Sequence, residues 1–409
     1  MYLTGQVKGI VVSQKMNYKK FFIILSVIVV IVHLPRIIIL LRMRSSHGED
    51  TYHEGKTGEG ERIMTWVKFD FDLPVWSEYV TTTKQKLLKF YREKLPLLLE
   101  NVTDDRLIEE IYDPDVNPFS SAAKEEILHT EIFHSKQVIK TNFNHRWCSG
   151  GFFLSYATTL TCGDEPVLPE FPITPFLPEY SLLKTLLKGE YIPASPCLST
   201  TDSTINDVSR ITYQIHGAKK LKGNVSTRSY ILWSIMSLLS AVYPKLYNIM
   251  IPLPFRDVTG VSNNIGVIFI KWPESGMSME ELDKLISRKK MSAVGTNLYL
   301  RGIDSTGELG KNTRNNVDIV FTSGYVRNPK ITPVASHVTF NGIADYGIYV
   351  FSITINDQTD VALTFSTKEF PVHDLRNVLE TKGWVPKCNV QGNNDNRIVI
   401  AQKLSDSLN

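Results

Sequence analysis

The sequence predicts a mixed α/β (α+β) protein in which two domains follow an N-terminal membrane segment. The chain has 409 residues, which is long enough for two domains. Segments rich in β-branched and aromatic residues alternate with segments in which apolar residues recur every three or four positions, so both strands and helices are expected. Residues 21–41 form the most apolar stretch of the chain, and its length matches the roughly 20 residues that cross a bilayer.

The composition is that of a globular protein, with 43% hydrophobic and 21% charged residues. The net charge of +3 is too small to indicate a nucleic-acid partner, and we expect none. The four cysteines show no C-x-x-C pair and no Cys/His metal spacing, so we expect free thiols and no metal site. They are Cys148, Cys162, Cys197 and Cys388.

The apolar stretch 21–41 is interrupted by His33, Pro35 and Arg36. An arginine at depth costs about 2.5 to 3.5 kcal/mol on insertion scales. A single anchor, a kinked insertion and a signal sequence all remain open. We favour a single-pass membrane anchor, because no small-residue cleavage site follows; the kind of membrane and the orientation stay open.

A flexible linker is predicted after the anchor, because four glycines lie among charged residues there. The domain organisation that follows comprises a basic segment at 1–20, the membrane helix at 21–41, the linker at 42–63, an N-terminal domain at 64–178, a crossover connection at 179–209 and a C-terminal domain at 210–409.

In the N-terminal half the pattern predicts several strands and one helix before position 145. They are a strand at Trp66–Leu73, a helix at Thr82–Lys94 capped by Thr81–Thr83, short strands within Leu97–Val102 and Arg106–Tyr112, and one or two strands at Glu131–Phe143. Five prolines in residues 165–178 favour an extended connection there.

The second half is more regular. A helix at Ser226–Tyr243 is predicted from its apolar stripe, and Pro244 ends it. Strands are expected at Arg210–Ile215 and Val267–Trp272, and a hairpin at Tyr349–Ile355 and Asp360–Ser366 around Asn356-Asp357.

His145 is the one reactive side chain in a setting that could activate it. A strand is expected to end just before it, Gly150 and Gly151 follow, and a second apolar element begins at Phe152. At such a turn the strand fixes the backbone while the side chain is exposed. Catalytic and binding residues are often found in this position.

The spacing His145-x-x-x-Ser149-Gly150 resembles the His-x-x-x-Asp-Gly motif of the CoA-dependent acyltransferases of the chloramphenicol acetyltransferase-like superfamily. That superfamily includes the plant BAHD enzymes, the wax ester synthases and the condensation domains of peptide synthetases. Two departures are plain: Ser149 stands at the position of the Asp, and Asn144 stands where many members have a second His.

Four further segments are similar to motifs of the same superfamily and occur in its order. They are Ile249–Arg256, Ser262–Gly266, the strand and Ser turn of Val317–Gly324, and Asp345-Tyr346-Gly347. The resemblance covers about residues 65–400. It implies two chloramphenicol acetyltransferase-like domains, each a mixed sheet with flanking helices.

The resemblance also implies a chemistry. His145 would be the general base that removes the proton of a hydroxyl or amine acceptor, either a small molecule or a lipid, while acyl-CoA serves as co-substrate and no cofactor is bound permanently. During attack the thioester carbonyl oxygen becomes negatively charged, and Ser323 or Asn264 would donate a hydrogen bond to this oxyanion. Arg256 is the arginine expected near Ser149, which cannot form the ion pair that the motif Asp makes in the superfamily.

Other interpretations of the motif remain open. His145 could be a loop histidine that only hydrogen-bonds, and Cys148 could be a nucleophile with His145 as its base. The replacements at Ser149 and Asn144 also fit a catalytically inactive descendant that is kept as a binding or assembly protein.

Overall fold

The structure, a computed structural model, describes residues 22, 23, 25–27, 30, 62–96, 98–118, 127–144, 148, 150–168, 208–216, 222–243, 247–255, 265–302, 317–340, 348–366, 384–390 and 398–403. The predicted linker, the crossover connection and the Asp345-Tyr346-Gly347 motif lie outside these residues, apart from the ends of the first two.

The described part of the chain forms five labelled helices and thirteen strands. The helices are α1 (Leu73–Lys94), α2 (Asp104–Leu107), α3 (Gly150–Thr161), α4 (Thr227–Val242) and α5 (Met279–Gly302). The strands are β1 (Arg62–Lys68), β2 (Ile108–Ile111), β3 (Leu128–Phe133), β4 (Val138–Asn144), β5 (Val208–His216), β6 (Tyr247–Pro254), β7 (Ile265–Trp272), β8 (Ile319–Val326), β9 (Ala335–Phe340), β10 (Ile348–Ile355), β11 (Gln358–Ser366), β12 (Trp384–Val390) and β13 (Ile398–Lys403).

The strands form two mixed sheets. The smaller has the order β2-β3-β4-β1-β9, with a parallel β2–β3 pair among antiparallel ones. The larger has the order β12-β13-β5-β11-β10-β8-β6-β7 and contains three parallel pairs. The predicted mixed α/β class is therefore confirmed.

Two apolar cores cover opposite faces of the larger sheet. Along β8 and β10, Ile319, Phe321 and Val350 pack with α4 and α5 in one core, whereas Val320 and Phe351 belong to the other. This alternation follows from the two-residue period of a strand. The second core also holds residues of α1, α3 and the smaller sheet, so α1 and α3 share one core with both sheets.

Strand β9 lies late in the chain but completes the smaller sheet. It pairs antiparallel with β1, so that Val67 lies opposite Ser336 and Ile63 opposite Phe340. The chain therefore returns from the larger sheet to the smaller one before it forms β10.

One glycine sets how closely α5 packs on the larger sheet. A Cβ added to Gly266 on β7 would clash with the backbone carbonyl of Ala293 in α5. The approach of helix and strand therefore requires glycine at this position.

Three predictions for the N-terminal half are wrong in detail. The first strand is Arg62–Lys68 rather than 66–73, and the helix predicted at 82–94 already begins at Leu73. Pro74 lies in the first turn of that helix, where the absent N–H costs nothing, so the expected threonine cap plays no part. Residues 98–101 form turns rather than the strand expected within Leu97–Val102. The strand expected within Arg106–Tyr112 is present as β2, Ile108–Ile111, directly after the short helix Asp104–Leu107.

Most other predicted elements are confirmed. Glu131–Phe143 contains the end of β3 and most of β4, Ser226 caps α4 by accepting from the N–H of Ser229, and β10 and β11 form the expected hairpin. Asn356, in the turn of that hairpin, has a φ of 57°, a conformation that asparagine tolerates. Ser323 lies inside β8 and not at a turn.

The predicted membrane segment lies outside the described residues except for positions 22, 23, 25–27 and 30. Among the residues that the structure describes, no helix combines the length and the apolar character needed to span a bilayer.

Candidate active site

The segment around position 145 connects a strand of the smaller sheet to a buried helix. Asn144 is the last residue of β4, and Gly150 is the first residue of α3. The N–H of Cys148 donates to the carbonyl of Asn144 at 3.0 Å, which brings the two ends of this connection together. His145 and Ser149 themselves lie outside the described residues.

Helix α3 is held between the two sheets by contacts on both sides. The Phe153 ring meets the ring of Phe351 on β10 edge to face, with centroids 4.7 Å apart. On the other side, the Tyr156 hydroxyl lies 2.7 Å from Thr141 Oγ1 on β4. An edge-to-face aromatic contact and a buried hydrogen bond both restrict orientation, so the start of α3 is fixed relative to β4 and β10.

A cavity of about 540 Å³ lies between α3 and the larger sheet. Its wall combines one residue of α3 with the ends of β6 and β8, the first turn of α4, and α5. The described lining residues are Leu154, Pro166, Val167, Leu168, Arg228, Leu253, Pro254, Phe255, Lys290, Val294, Ser323, Gly324, Tyr325 and Arg327. A cavity of this volume with a largely apolar wall is typical of small-molecule sites.

Gly324 allows α3 to approach β8 at the wall of this cavity. A Cβ at this position would come within 3.3 Å of Leu154 Cδ1, a contact tighter than ordinary packing. Since Leu154 lies one turn after the start of α3, the helix that follows the 145–149 segment reaches the cavity directly.

Arg228 is the charged group deepest in the wall. Its Nε donates to Ser323 Oγ at 2.9 Å, and among the described residues this is its only hydrogen bond. The side chain lies among protein atoms but keeps a partly exposed face toward the cavity. Burial lowers the pKa of the Arg228 guanidinium, because a low-dielectric environment disfavours the charged form.

The hydroxyl of Ser323 is oriented by this contact. Its oxygen accepts from the cationic Arg228, so its own proton remains available to a third group. Hydrogen bonds that are linked in a chain polarise one another. The Ser323 hydroxyl, which accepts from the cationic Arg228, is therefore a stronger donor to the next group.

A second, smaller cavity of about 260 Å³ shares Arg228, Lys290, Ser323, Gly324 and Tyr325 with the larger one. Asp283 lines it, but its Oδ1 accepts from the hydroxyls of Ser226 and Ser229, at 2.8 and 2.7 Å.

Burial by itself would raise the pKa of Asp283, but these hydrogen bonds outweigh it and lower the pKa. Asp283 forms no ion pair with Arg228 in the described structure, so it does not neutralise that guanidinium.

Two further predicted site residues flank the connection between β6 and β7. Arg256 follows Phe255, which lines the larger cavity, and Asn264 precedes Ile265, the first residue of β7. Both lie outside the described residues. Ser323 is the predicted substrate-binding residue that the structure does describe, and it lies in the wall of both cavities.

Cys148 does not fit a nucleophile. The thiol is fully enclosed within the core shared by the two sheets, at 2% exposure. Burial raises the pKa of the Cys148 thiol well above its usual range, so the reactive thiolate is not formed at neutral pH.

Glu109, His129 and Glu131 bring metal-type ligand atoms within 4.8 Å of one another on the smaller sheet. However, Lys140 Nζ lies 2.7 Å from a carboxylate oxygen of Glu131, and so a protein cation already neutralises part of this cluster. We assign no metal to it.

Arg228 and Lys290 were not predicted from the sequence as site residues. A signal for Arg228 was nevertheless present, because it is the only charged residue of the 16-residue helix α4. A lone charge in an otherwise apolar helix needs a partner or a polar cavity.

Comparison with known proteins gives similarity in structure only. No protein-family model matches the chain, and no curated protein matches it in sequence. Among solved structures, the chain is similar to the epimerization domain of the third module of tyrocidine synthetase B, with 11% identity, a TM-score of 0.47, and coverage of 80% of this chain and 90% of that one.

Two further similar structures contain ligands. TRI101 of F. sporotrichioides, complexed with coenzyme A and T-2, has 10% identity, a TM-score of 0.47, and coverage of 80% of this chain and 94% of that one. The starter condensation domain of rhizomide synthetase, in complex with C8-CoA and Leu-SNAC, has 9% identity, a TM-score of 0.48, and coverage of 84% and 90%.

A condensation domain is one of the classes named by the sequence resemblance.

Proposed function

We propose that this protein is an acyltransferase that moves an acyl group from acyl-CoA to a hydroxyl or amine acceptor, with His145 as general base. The observation that carries the proposal is the cavity between α3 and the larger sheet. Its wall includes the helix that directly follows the His145-x-x-x-Ser149-Gly150 motif, and it also includes Ser323, the predicted oxyanion donor.

The chemistry needs one base and at least one donor. As the acceptor oxygen or nitrogen attacks the thioester carbonyl, its proton passes to the imidazole of His145, whose ordinary pKa near 6.5 suits a base at neutral pH. The C–S bond then breaks, and the departing thiolate of CoA takes the proton back from the imidazolium. The products are an ester or amide and free CoA.

Ser323 would stabilise the negative charge that forms on the carbonyl oxygen. Its hydroxyl proton is free to donate, because its oxygen already accepts from Arg228. A donor fixed before the reaction costs no reorganisation in the transition state, and such donors contribute about a hundredfold or more to kcat.

The test is release of CoA from acetyl-, octanoyl- and palmitoyl-CoA by the full-length protein, followed by chromatography. Transfer to added acceptors, or slow hydrolysis without one, is expected, and His145→Ala should abolish it. Ser323→Ala should lower kcat about a hundredfold. The control is His134→Ala, which removes a histidine paired with Glu110 on the smaller sheet and should leave turnover unchanged.

Two outcomes would contradict the proposal. Unchanged turnover in His145→Ala would reject the general base. If no acyl-CoA turns over and none raises the melting temperature, the chain is instead the inactive binding or assembly protein that Ser149 and Asn144 also fit.

The proposed enzyme is tethered to a membrane by residues 21–41 as a single-pass anchor. A chain that lacks residues 1–41 should then leave the membrane fraction when cells are fractionated, whereas the full chain should remain there after washing with high salt.

A further inference from the structure

We propose that the two neighbouring cavities, which share Arg228 in their walls, form a binding site for a ligand with one anionic group, a carboxylate or a phosphate. Arg228 holds this group while an apolar body extends along the larger cavity. This inference deepens the proposed function, since it names the class of molecule that the same cavity takes.

The wall of the larger cavity carries positive charge. Arg228, Lys290 and Arg327 line the larger cavity, and its described lining contains no carboxylate. In the smaller cavity, Asp283 is engaged by Ser226 and Ser229 instead. A guanidinium enclosed by protein is costly unless an anion compensates it, and no described residue forms an ion pair with Arg228.

The geometry of the Arg228 guanidinium suits an anion with two oxygens. The Nε of Arg228 is used by Ser323, which leaves the two terminal nitrogens of the guanidinium without partners among the described residues. Two parallel N–H groups at that edge match the two oxygens of a carboxylate or phosphate.

The two other cations in the wall of the larger cavity differ from Arg228 in exposure. Lys290 and Arg327 are exposed, whereas Arg228 lies deeper in the wall. Exposed cations at a cavity opening attract an anion in a salt-dependent way, and a shielded one fixes it in place.

The remainder of the wall determines the rest of the ligand. Leu154, Leu253, Phe255 and Val294 contribute apolar side chains to the larger cavity. A ligand that places its anionic group at Arg228 would therefore cover this surface with an apolar chain or ring.

The inference is tested by binding and not by turnover, so that it can fail separately from the proposed function. Melting temperature and isothermal titration are measured for the full-length protein with octanoate, with the neutral isostere octanamide, with inorganic phosphate and with coenzyme A. Octanoate represents a carboxylate ligand, and the last two represent a phosphate source.

At least one anionic probe should bind, and octanamide should bind more weakly than octanoate if the ligand is a carboxylate. Arg228→Gln should weaken binding of the anionic probe about 10- to 100-fold, the range expected for a charge-assisted hydrogen bond. Arg228→Lys keeps the charge but not the paired donors, so its effect should be intermediate. Arg288→Gln removes an exposed arginine of α5 that lines neither cavity and should change nothing.

The ligand-free melting temperature of each variant reports whether it is folded. Binding of octanoate that depends on Arg228 supports a carboxylate ligand, and binding of phosphate or CoA that depends on Arg228 supports a phosphate. If every probe binds Arg228→Gln as well as the wild type, or if none binds the wild type, the inference is overturned. Arg228-dependent binding without turnover would retain this site and reject only the enzymatic proposal.

Discussion

Buried charges are handled differently in the two sheets. In the smaller sheet Lys140 is buried on β4, and it lies directly opposite Glu131 on β3, with the ammonium 2.7 Å from the carboxylate. At the larger sheet Arg228 has a hydroxyl as its described partner, and the donors to Asp360 on β11 within the described part of the chain include the uncharged Ser336 and Gln358. The first charge is balanced by an ion pair, whereas the other two have no oppositely charged partner among the residues that the structure describes.

The two unbalanced charges also differ from each other. Asp360 is 4% exposed and is enclosed by the N–H and hydroxyl of Ser336, both at 2.6 Å. Arg228 faces a cavity. An enclosed group such as the Asp360 carboxyl can respond to burial only by a shift of its pKa. A group that faces a cavity, such as the Arg228 guanidinium, can also be balanced by a charged ligand. The comparison therefore separates structural charges from a charge that is available for binding.

Lys140→Met gives the largest expected effect on stability. The change leaves Glu131, whose side chain is 13% exposed, without its cation. Removal of one partner of a buried pair costs about 3 to 5 kcal/mol.

Urea unfolding measures this cost. The double variant Lys140→Met, Glu131→Leu should recover most of it, since no uncompensated charge then remains. If the double variant is as unstable as Lys140→Met alone, the cost does not come from the uncompensated charge of Glu131.

Asp360→Asn should change the pH dependence of stability. Burial raises the pKa of the Asp360 carboxyl to about 6, although the hydrogen bonds from Ser336 act to lower it. The folded protein therefore keeps this proton at a pH where the unfolded chain, with a carboxyl pKa near 3.9, has lost it. As a result, stability falls as the pH rises from about 4 to above 6.

The wild type should lose up to about 3 kcal/mol relative to the asparagine variant across this window, because each pKa unit corresponds to about 1.4 kcal/mol. Urea unfolding of both proteins at pH 4.5, 5.5, 7 and 8 measures the difference. Parallel curves would show that Asp360 is not protonated in this range.

Arg228→Leu gives the smallest expected effect and the most informative contrast. Without ligand, stability should stay the same or rise by about 1 kcal/mol, because a guanidinium without a carboxylate is exchanged for an apolar side chain. Urea unfolding at pH 7 is again the measurement. A loss of more than about 2 kcal/mol would mean that Arg228 supports the fold as Lys140 does, and the contrast between the two sheets would disappear.

Local patterns predicted much of this fold. The apolar stripe of α4 and the Asn356-Asp357 hairpin were visible in sequence, because short-range geometry decides them. The start of α1 was missed because Leu73 and Pro74 resemble the end of a strand, and only packing of Trp76 and Tyr79 in the core reveals the first turns of the helix.

The candidate site was predictable only in part. Ser323 was named from the resemblance to the superfamily, but its hydrogen bond to Arg228 joins residues 95 positions apart. The same holds for the approach of Leu154 to Gly324, which depends on how α3 packs against β8. Contacts between distant segments are set by tertiary packing and not by local periodicity, so the cavity itself has no sequence signature.

The pairing of β1 with β9 has a consequence for synthesis. During translation the four strands β1 to β4 leave the ribosome long before Ala335–Phe340 does, so one edge of β1 stays open during that interval. An open edge is a template for wrong pairing, and pairing over such a span is slow. A nascent chain arrested before residue 335 should therefore remain sensitive to protease at β1, and it should acquire resistance only after the return strand has emerged.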